Sequence, residues 1–239
     1  MIKLITANER HQSNIGDWLS SSYLFSFADY YDPTNVQFGP LKVFNDNLLK
    51  GKSNLPEHPQ AEMEVVTVVL DGEATHRDNL GNEIKLKAGD AQRISAGTGI
   101  SSSLINDGDD DAHFLQIWFL PNKKGIAPAY EQMSVDFLDK DDRLTPVVTG
   151  QRVLENVLYM NSNATVYFGK LGQGNDIDFK TYKIRKTLVY ILKGNLLVNN
   201  LEADQFDQVR MEDYDFVSLH AVSDAEFILV DVPALEVNY

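Results

Sequence analysis

A chain of 239 residues with 43% hydrophobic side chains can bury a sizeable core, as one large β domain or two small ones, and is no candidate for intrinsic disorder. Its 35 acidic residues outweigh 21 basic ones, a net charge of −14 that repels phosphate backbones and anionic lipid heads, so neither nucleic acid nor a membrane surface is expected as a partner. With no cysteine there are no disulfides, no thiolate metal ligands and no cysteine nucleophile, and five histidines carry whatever metal or acid–base chemistry exists.

The opening MIKLITANERHQSNIGDWL lacks a continuous apolar segment, and no apolar run approaches the ~20 residues that cross a bilayer, which points to a soluble cytoplasmic protein. The aromatics Phe25, Phe27, Tyr30 and Tyr31 follow, able to line a ligand mouth but expected mainly to pack. From residue 64 onward short runs of β-branched and aromatic residues alternate with Gly, Asn and Asp, the punctuation of an all-β sandwich or barrel. Glu64 to Leu70 (EVVTVVL) reads as a buried strand entering a hairpin at Asp71-Gly72. Strands over Glu73 to Asp78 and Glu83 to Lys87 flank a turn at Asn79 to Asn82, the second alternating charged and apolar residues as a strand with one wet face does. After the turn Gly97-Thr98-Gly99 come Ile100 to Asn106, the acidic loop Asp107 to Asp111, and an interior strand His113 to Leu120 stopped by Pro121.

The second half repeats this order in shorter form: Thr187 to Leu192 enters Lys193-Gly194, and Glu226 to Val232 is stopped by Pro233. A duplicated unit accounts for this, the second copy lacking the stretch that matches residues 97–106. Asn122 to Thr149, with Pro128, Pro146 and the charged run Asp139 to Arg143, reads as a linker or crossing segment. The division is placed between residues 1–134 and 135–239.

On a barrel strand, residues i and i+2 aim to the same side, the convergence a metal site needs. His58-Pro59-Gln60 and Ser102-Ser103-Leu104 have that spacing, with one good ligand among the four inward candidates.

These segments resemble the pirin family. Phe25-Ser26-Phe27-Ala28-Asp29-Tyr30-Tyr31-Asp32-Pro33 is similar to its N-terminal signature, and Leu70-Asp71-Gly72-Glu73, His76-Arg77-Asp78, Leu80-Gly81-Asn82 and Ser95-Ala96-Gly97-Thr98-Gly99-Ile100 follow its first barrel in order. The likeness is dense over residues 2 to about 133 and looser through Lys193-Gly194-Asn195 and Asp231-Val232-Pro233. It implies an all-β bicupin, two cupin-type jelly-roll barrels in one chain, in a family whose bacterial members include quercetin dioxygenases. Metal-binding members supply His-x-His before the long apolar strand, then His and Glu two apart after the Gly-rich turn. Here His58 matches the first position, while Gln60, Ser102 and Leu104 stand at the other three. An amide, an alcohol and an alkyl group are poor substitutes, so no metal cofactor is expected, and Leu104 cannot act as the general base. The expected function is a small molecule held in the N-terminal barrel, or a protein partner, without catalysis. The alternative is a quercetinase-type oxygenase that recruits iron, manganese, copper or nickel through His58 and Glu64, the latter sharing parity with His58 and Gln60 although it is not one of the family's four ligands.

His58 itself is open between a pocket group and a loop histidine. His76, beside a turn, reads as a polar surface residue, and His11, His113 and His220 lack a partner at ligand spacing, His113 having the setting of a hydrogen-bonded core histidine. Ser101-Ser102-Ser103 lacks the elbow and base of a hydrolase, Gly97-x-Gly99 is a turn rather than a dinucleotide fingerprint, and Asp107 to Asp111 lacks the later glutamate of a calcium loop.

Overall fold

A computed structural model describes residues 1–135, 142–151 and 154–234; residues 139–141 of the charged run fall outside them. Among the described residues the regular elements are strands and one 3-10 turn, Ala7–Glu9, and no helix is long and apolar enough to cross a membrane. The strands make two copies of one architecture, each a seven-stranded sheet facing a four-stranded one.

In the first copy the long sheet runs Ala129–Ser134, Asp90–Ser95, Glu64–Asp71, Ala112–Phe119, Leu41–Leu49, Leu19–Tyr23, His11–Ile15. The short sheet runs Ser53–Gln60, Ile100–Asn106, Glu73–Asp78, Glu83–Lys87. The turn residues act as their chemistry requires: Gly72 has φ +71, and a Cβ there would sit 2.4 Å from the Asp111 carbonyl oxygen.

The two long sheets pack face to face, and this explains the unbroken apolar runs. Val66 and Val68 join Phe44, Phe168, Val230 and others in a core between the barrels, while Val65 and Val69 face the interior of the first barrel. A strand buried on both faces has no reason to alternate. The second barrel is filled: Phe227 lies on the bare Gly169, where a Cβ would come within 2.2 Å of the ring, inside a cluster with Val189, Ile191 and Leu219.

Two expectations are corrected, and one strand crosses between the copies. Residues 122–149 are not a bare linker, since Ala129–Ser134 forms an edge of the first long sheet and Arg143–Thr149 enters the second. The second copy keeps a strand equivalent to residues 100–106, Phe216–Ala221; its shortening lies in the hairpin, where Leu196–Val198 and Leu201–Ala203 replace longer strands. Ile2–Ile5 pairs with the Gln208–Glu212 strand of the second barrel, so an N-terminal unit counted from residue 1 includes a strand of the other sheet. Edge pairing is a backbone event that four residues of sequence do not announce.

Candidate functional site

The four positions singled out by spacing converge. On the short sheet Ser102 pairs with His58 on one side and Asp78 on the other, and Ile100 pairs with Gln60. A bulge between Ser102 and Leu104 then sets Leu104 opposite Leu55 and His76. His58, Gln60, Ser102 and Leu104 all line one inner cavity of about 10 Å³, room for about one water molecule.

The contacts there are specific. The Pro56 carbonyl can only accept, so His58 Nδ1 donates to it at 3.0 Å, and Nε2 accepts the Gln60 side-chain amide at 2.8 Å. The nitrogen lone pair that would meet an ion is therefore occupied by a hydrogen bond from its neighbour. Leu104, 3% exposed, sits among Val69, Ala74, Leu86 and Phe114. Ser102 is buried in the same wall.

His76 lies in this wall too, and its expected surface position is wrong: it is 1% exposed, Nε2 donates to Asp78 Oδ2 at 3.0 Å, and its ring stacks on Tyr130 at 4.6 Å. Burial lowers the His76 pKa despite Asp78. Burial would raise that of Asp78, but bonds from Asn82, His76 and Leu80 hold it below the ordinary value. The strand ends beside a turn, as the sequence says, yet position 76 shares the inward parity of Ala74.

Glu64 is the second correction. It is fully buried but faces away from the cavity, toward the junction between barrels, where Oε2 accepts from Ser95 Oγ at 2.8 Å and from the Asn161 backbone N–H at 3.2 Å. Its neighbours Val65 and Thr67 line the cavity instead. Parity does not carry across the turn Ala61 to Met63, where Glu62 takes φ +52 and the chain changes sheets. Burial raises the Glu64 pKa against the Ser95, Asn161 and Arg93 contributions. A carboxyl raised in this way binds more protons folded than unfolded in the window between its ordinary and raised values, so stability falls as pH rises through that window. Glu64→Gln is expected to flatten this slope and to be at least as stable as the parent near neutral pH; equilibrium urea unfolding across the window checks it, and a variant less stable at neutral pH contradicts it.

Outside the inner cavity the barrel opens into an apolar chamber of about 190 Å³, walled by Leu19, Tyr23, Phe27, Phe114 and Trp118, with Leu55, His58 and Gln116 common to both spaces. Asn45 Oδ1 and Trp118 Nε1, both on residues of this wall, are buried and have no hydrogen-bond partner among the described residues. The aromatic segment splits by position. Phe27 lines the chamber edge-on to Tyr23 and Trp118, Phe25 is buried in the core under the Arg210 guanidinium, Tyr30 stacks on His11 at 4.2 Å, and Tyr31 is exposed.

The remaining histidines are elsewhere. His220 pairs with Asp176, and His113, half-buried, bonds to Asp46 at 2.6 Å in the manner expected of it. In the acidic loop Asp109 and Asp111 pair with Lys52 and Lys50. No group of three or more His, Asp or Glu side chains suited to a metal occurs among the described residues. Asn45, Phe114 and Trp118 escaped sequence reasoning, although Trp118 and Phe114 share one parity of the His113 to Leu120 strand.

Residues 6–119 match the Pirin family, and residues 147–232 match the quercetinase C-terminal cupin domain. The chain is 35% identical over 234 residues to the quercetin 2,3-dioxygenase of Escherichia coli K12, covering 98% of this chain and 99% of that protein. It is 33% identical over 214 residues to a pirin-like protein of Caulobacter vibrioides, covering 90% and 92%. Among solved structures it is similar to the bacterial pirin YhhW of Escherichia coli in complex with nickel(II), with a TM-score of 0.92, 34% identity, and coverage of 98% and 100%.

Proposed function

We propose a reading that proceeds from family membership: this chain belongs to the pirin family, two-barrel cupins, and acts as a metal-independent binding protein whose first barrel holds a small aromatic ligand. One of these relatives bears the name of a dioxygenase, another that of a pirin-like protein, and a third, a pirin, holds nickel. The residues at the corresponding place in this chain do not fit a divalent transition ion. The carrying observation is the His58–Gln60 bond: the one imidazole has its lone pair engaged, and the other three positions offer an amide, a hydroxyl and a leucine packed in an apolar cluster. No catalytic step is derived for such a site.

The chamber supplies what a binding protein needs. Its volume, about 190 Å³, exceeds the ~150 Å³ in which an apolar cavity accommodates benzene, so one substituted ring fits between Phe27, Phe114 and Trp118. Asn45 Oδ1 and Trp118 Nε1, on residues of its wall, are buried and without a hydrogen-bond partner among the described residues, so a ligand hydroxyl would reach them only with a side-chain shift. Protein purified without chelators is expected to carry only substoichiometric metal and to show no thermal shift with iron(II), manganese(II), copper(II) or nickel(II). Catechol is expected to quench tryptophan fluorescence saturably, the quench being lost in Trp118→Phe, with no oxygen uptake on quercetin under any supplied metal. Near-stoichiometric metal that disappears in His58→Ala, or metal-dependent oxygen consumption, would overturn the reading.

A further inference from the structure

A second concavity lies on the opposite face of the strands that wall the chamber. Strand alternation sends Asn45 and Phe114 into the barrel and their neighbours Asp46 and His113 outward, into a cleft of about 330 Å³ where the first barrel meets the second. Arg10, Ser22, Leu48 and, from the second barrel, Phe206 also line it.

A hydrogen-bonded chain crosses the junction at the cleft floor. Arg10 Nη1 donates to the Tyr190 hydroxyl at 2.6 Å, which donates to Asp46 Oδ2 at 2.6 Å, while Asp46 Oδ1 accepts from His113 Nε2 at 2.6 Å. Burial alone would lower the His113 pKa, but the bond to Asp46, its charge and that of Asp71 raise it above the ordinary histidine value. Both Asp46 oxygens are thus engaged. The next carboxylate, Asp207, accepts the backbone N–H groups of Ala7 and Asp204. Arg10 has no carboxylate partner of its own: Nε reaches the Ala7 carbonyl at a long 3.3 Å, and Nη2 makes no hydrogen bond among the described residues. Asp46 lines the same cleft but meets the guanidinium only through the Tyr190 hydroxyl, so among the described residues Arg10 keeps N–H groups that a bound anion could engage directly.

The wall beside it is apolar. The guanidinium lies 5.1 Å from the Phe206 ring, and Phe206 holds that place with φ +70, a left-handed backbone that bulky residues rarely adopt. Leu48 faces the same space, half-buried. We propose that this cleft binds a small organic carboxylate, its anionic end on the Arg10 guanidinium and its apolar part against Leu48 and Phe206. Inorganic anions would satisfy the guanidinium but leave the apolar wall wet, which is why an organic acid is the class assigned. The inference is independent of the first-barrel chamber.

Benzoate is the probe, with benzamide as its uncharged match, titrated calorimetrically into the full chain at low salt. Benzoate is expected to bind at one site at least tenfold tighter than benzamide. Arg10→Gln should lose at least tenfold in benzoate affinity. Because that variant also breaks the Tyr190 bond, Ser22→Asp provides a second arm: it sets a carboxylate on the half-exposed rim opposite Asp46, removes no member of the hydrogen-bonded chain, and should weaken benzoate but not benzamide. Equal affinity for the two probes, undiminished binding in both variants, no binding at all, or a Trp118 quench tracking the benzoate isotherm, which would put the probe in the chamber, each overturns the proposal.

Discussion

The triple variant Gln60→His, Ser102→His, Leu104→Glu is expected to gain a nickel(II) site that the parent lacks and to become dependent on the ion for stability. Without metal, the carboxylate introduced by Leu104→Glu would be unpaired among Val69, Ala74 and Leu86, a change that costs about 3–5 kcal/mol. Two added imidazoles crowd a cavity of about 10 Å³, which makes the loss larger. Metal offsets part of this loss. Gln60→His removes the amide that occupies His58 Nε2, and an ion at a hundredfold excess over its Kd stabilises by about 2.7 kcal/mol, a rise of roughly 5–10 °C in melting temperature for a chain of this size. The single Gln60→His change frees the first imidazole but assembles only two, so a much smaller metal shift is expected. Thermal unfolding with and without nickel(II), together with metal content after gel filtration, checks the outcome. A folded triple variant that ignores the ion shows that these four positions do not converge as described.

Phe227→Ala is the other large effect. The ring is fully buried and lies on Gly169, so truncation leaves a void bounded on one side by a residue with no side chain to collapse into it. A loss of about 3–5 kcal/mol follows, roughly 6–20 °C in melting temperature, measured by calorimetry. Adding Gly169→Val to Phe227→Ala should recover part of it, because the new side chain occupies the space the phenyl ring left; Gly169→Val alone should destabilise severely by collision with Phe227. The pair explains why the apolar chamber belongs to the first barrel: in the second, an aromatic ring packed on a glycine occupies the interior. An additive double variant, with no recovery, would show that the void is not shared.

Much of the fold was legible because its signals are local. Glu73–Asp78, Glu83–Lys87 and Ile100–Asn106 lie where alternation and turn residues put them, since period two and positive-φ glycines are properties of a few adjacent residues. The first 60 residues were less so. Leu41–Leu49, central in the first long sheet, carries Asn45, Asp46 and Asn47 in its middle, and a polar run does not read as a buried strand until its partners are known. For two of the three those partners exist: Ser21 Oγ donates to Asn47, and His113 and Tyr190 donate to Asp46. The long apolar runs gave burial correctly but not which side faced a barrel interior and which faced the other barrel.

The candidate site divides along the same line. By itself the sequence determined which chemical groups stand at the four spaced positions, because residue identity and a period of two suffice to say that one imidazole, an amide, a hydroxyl and an alkyl group are what could converge. Only the tertiary structure decided that they do converge, that the amide caps the imidazole, that His76 joins them and that Glu64 turns away to meet Asn161. The same holds for the cleft, whose Arg10, His113 and Tyr190 are separated by most of the chain. Parity is conserved along one strand but reset at every turn and change of sheet, so contacts between strands depend on how the sheets close, which no short stretch of residues encodes.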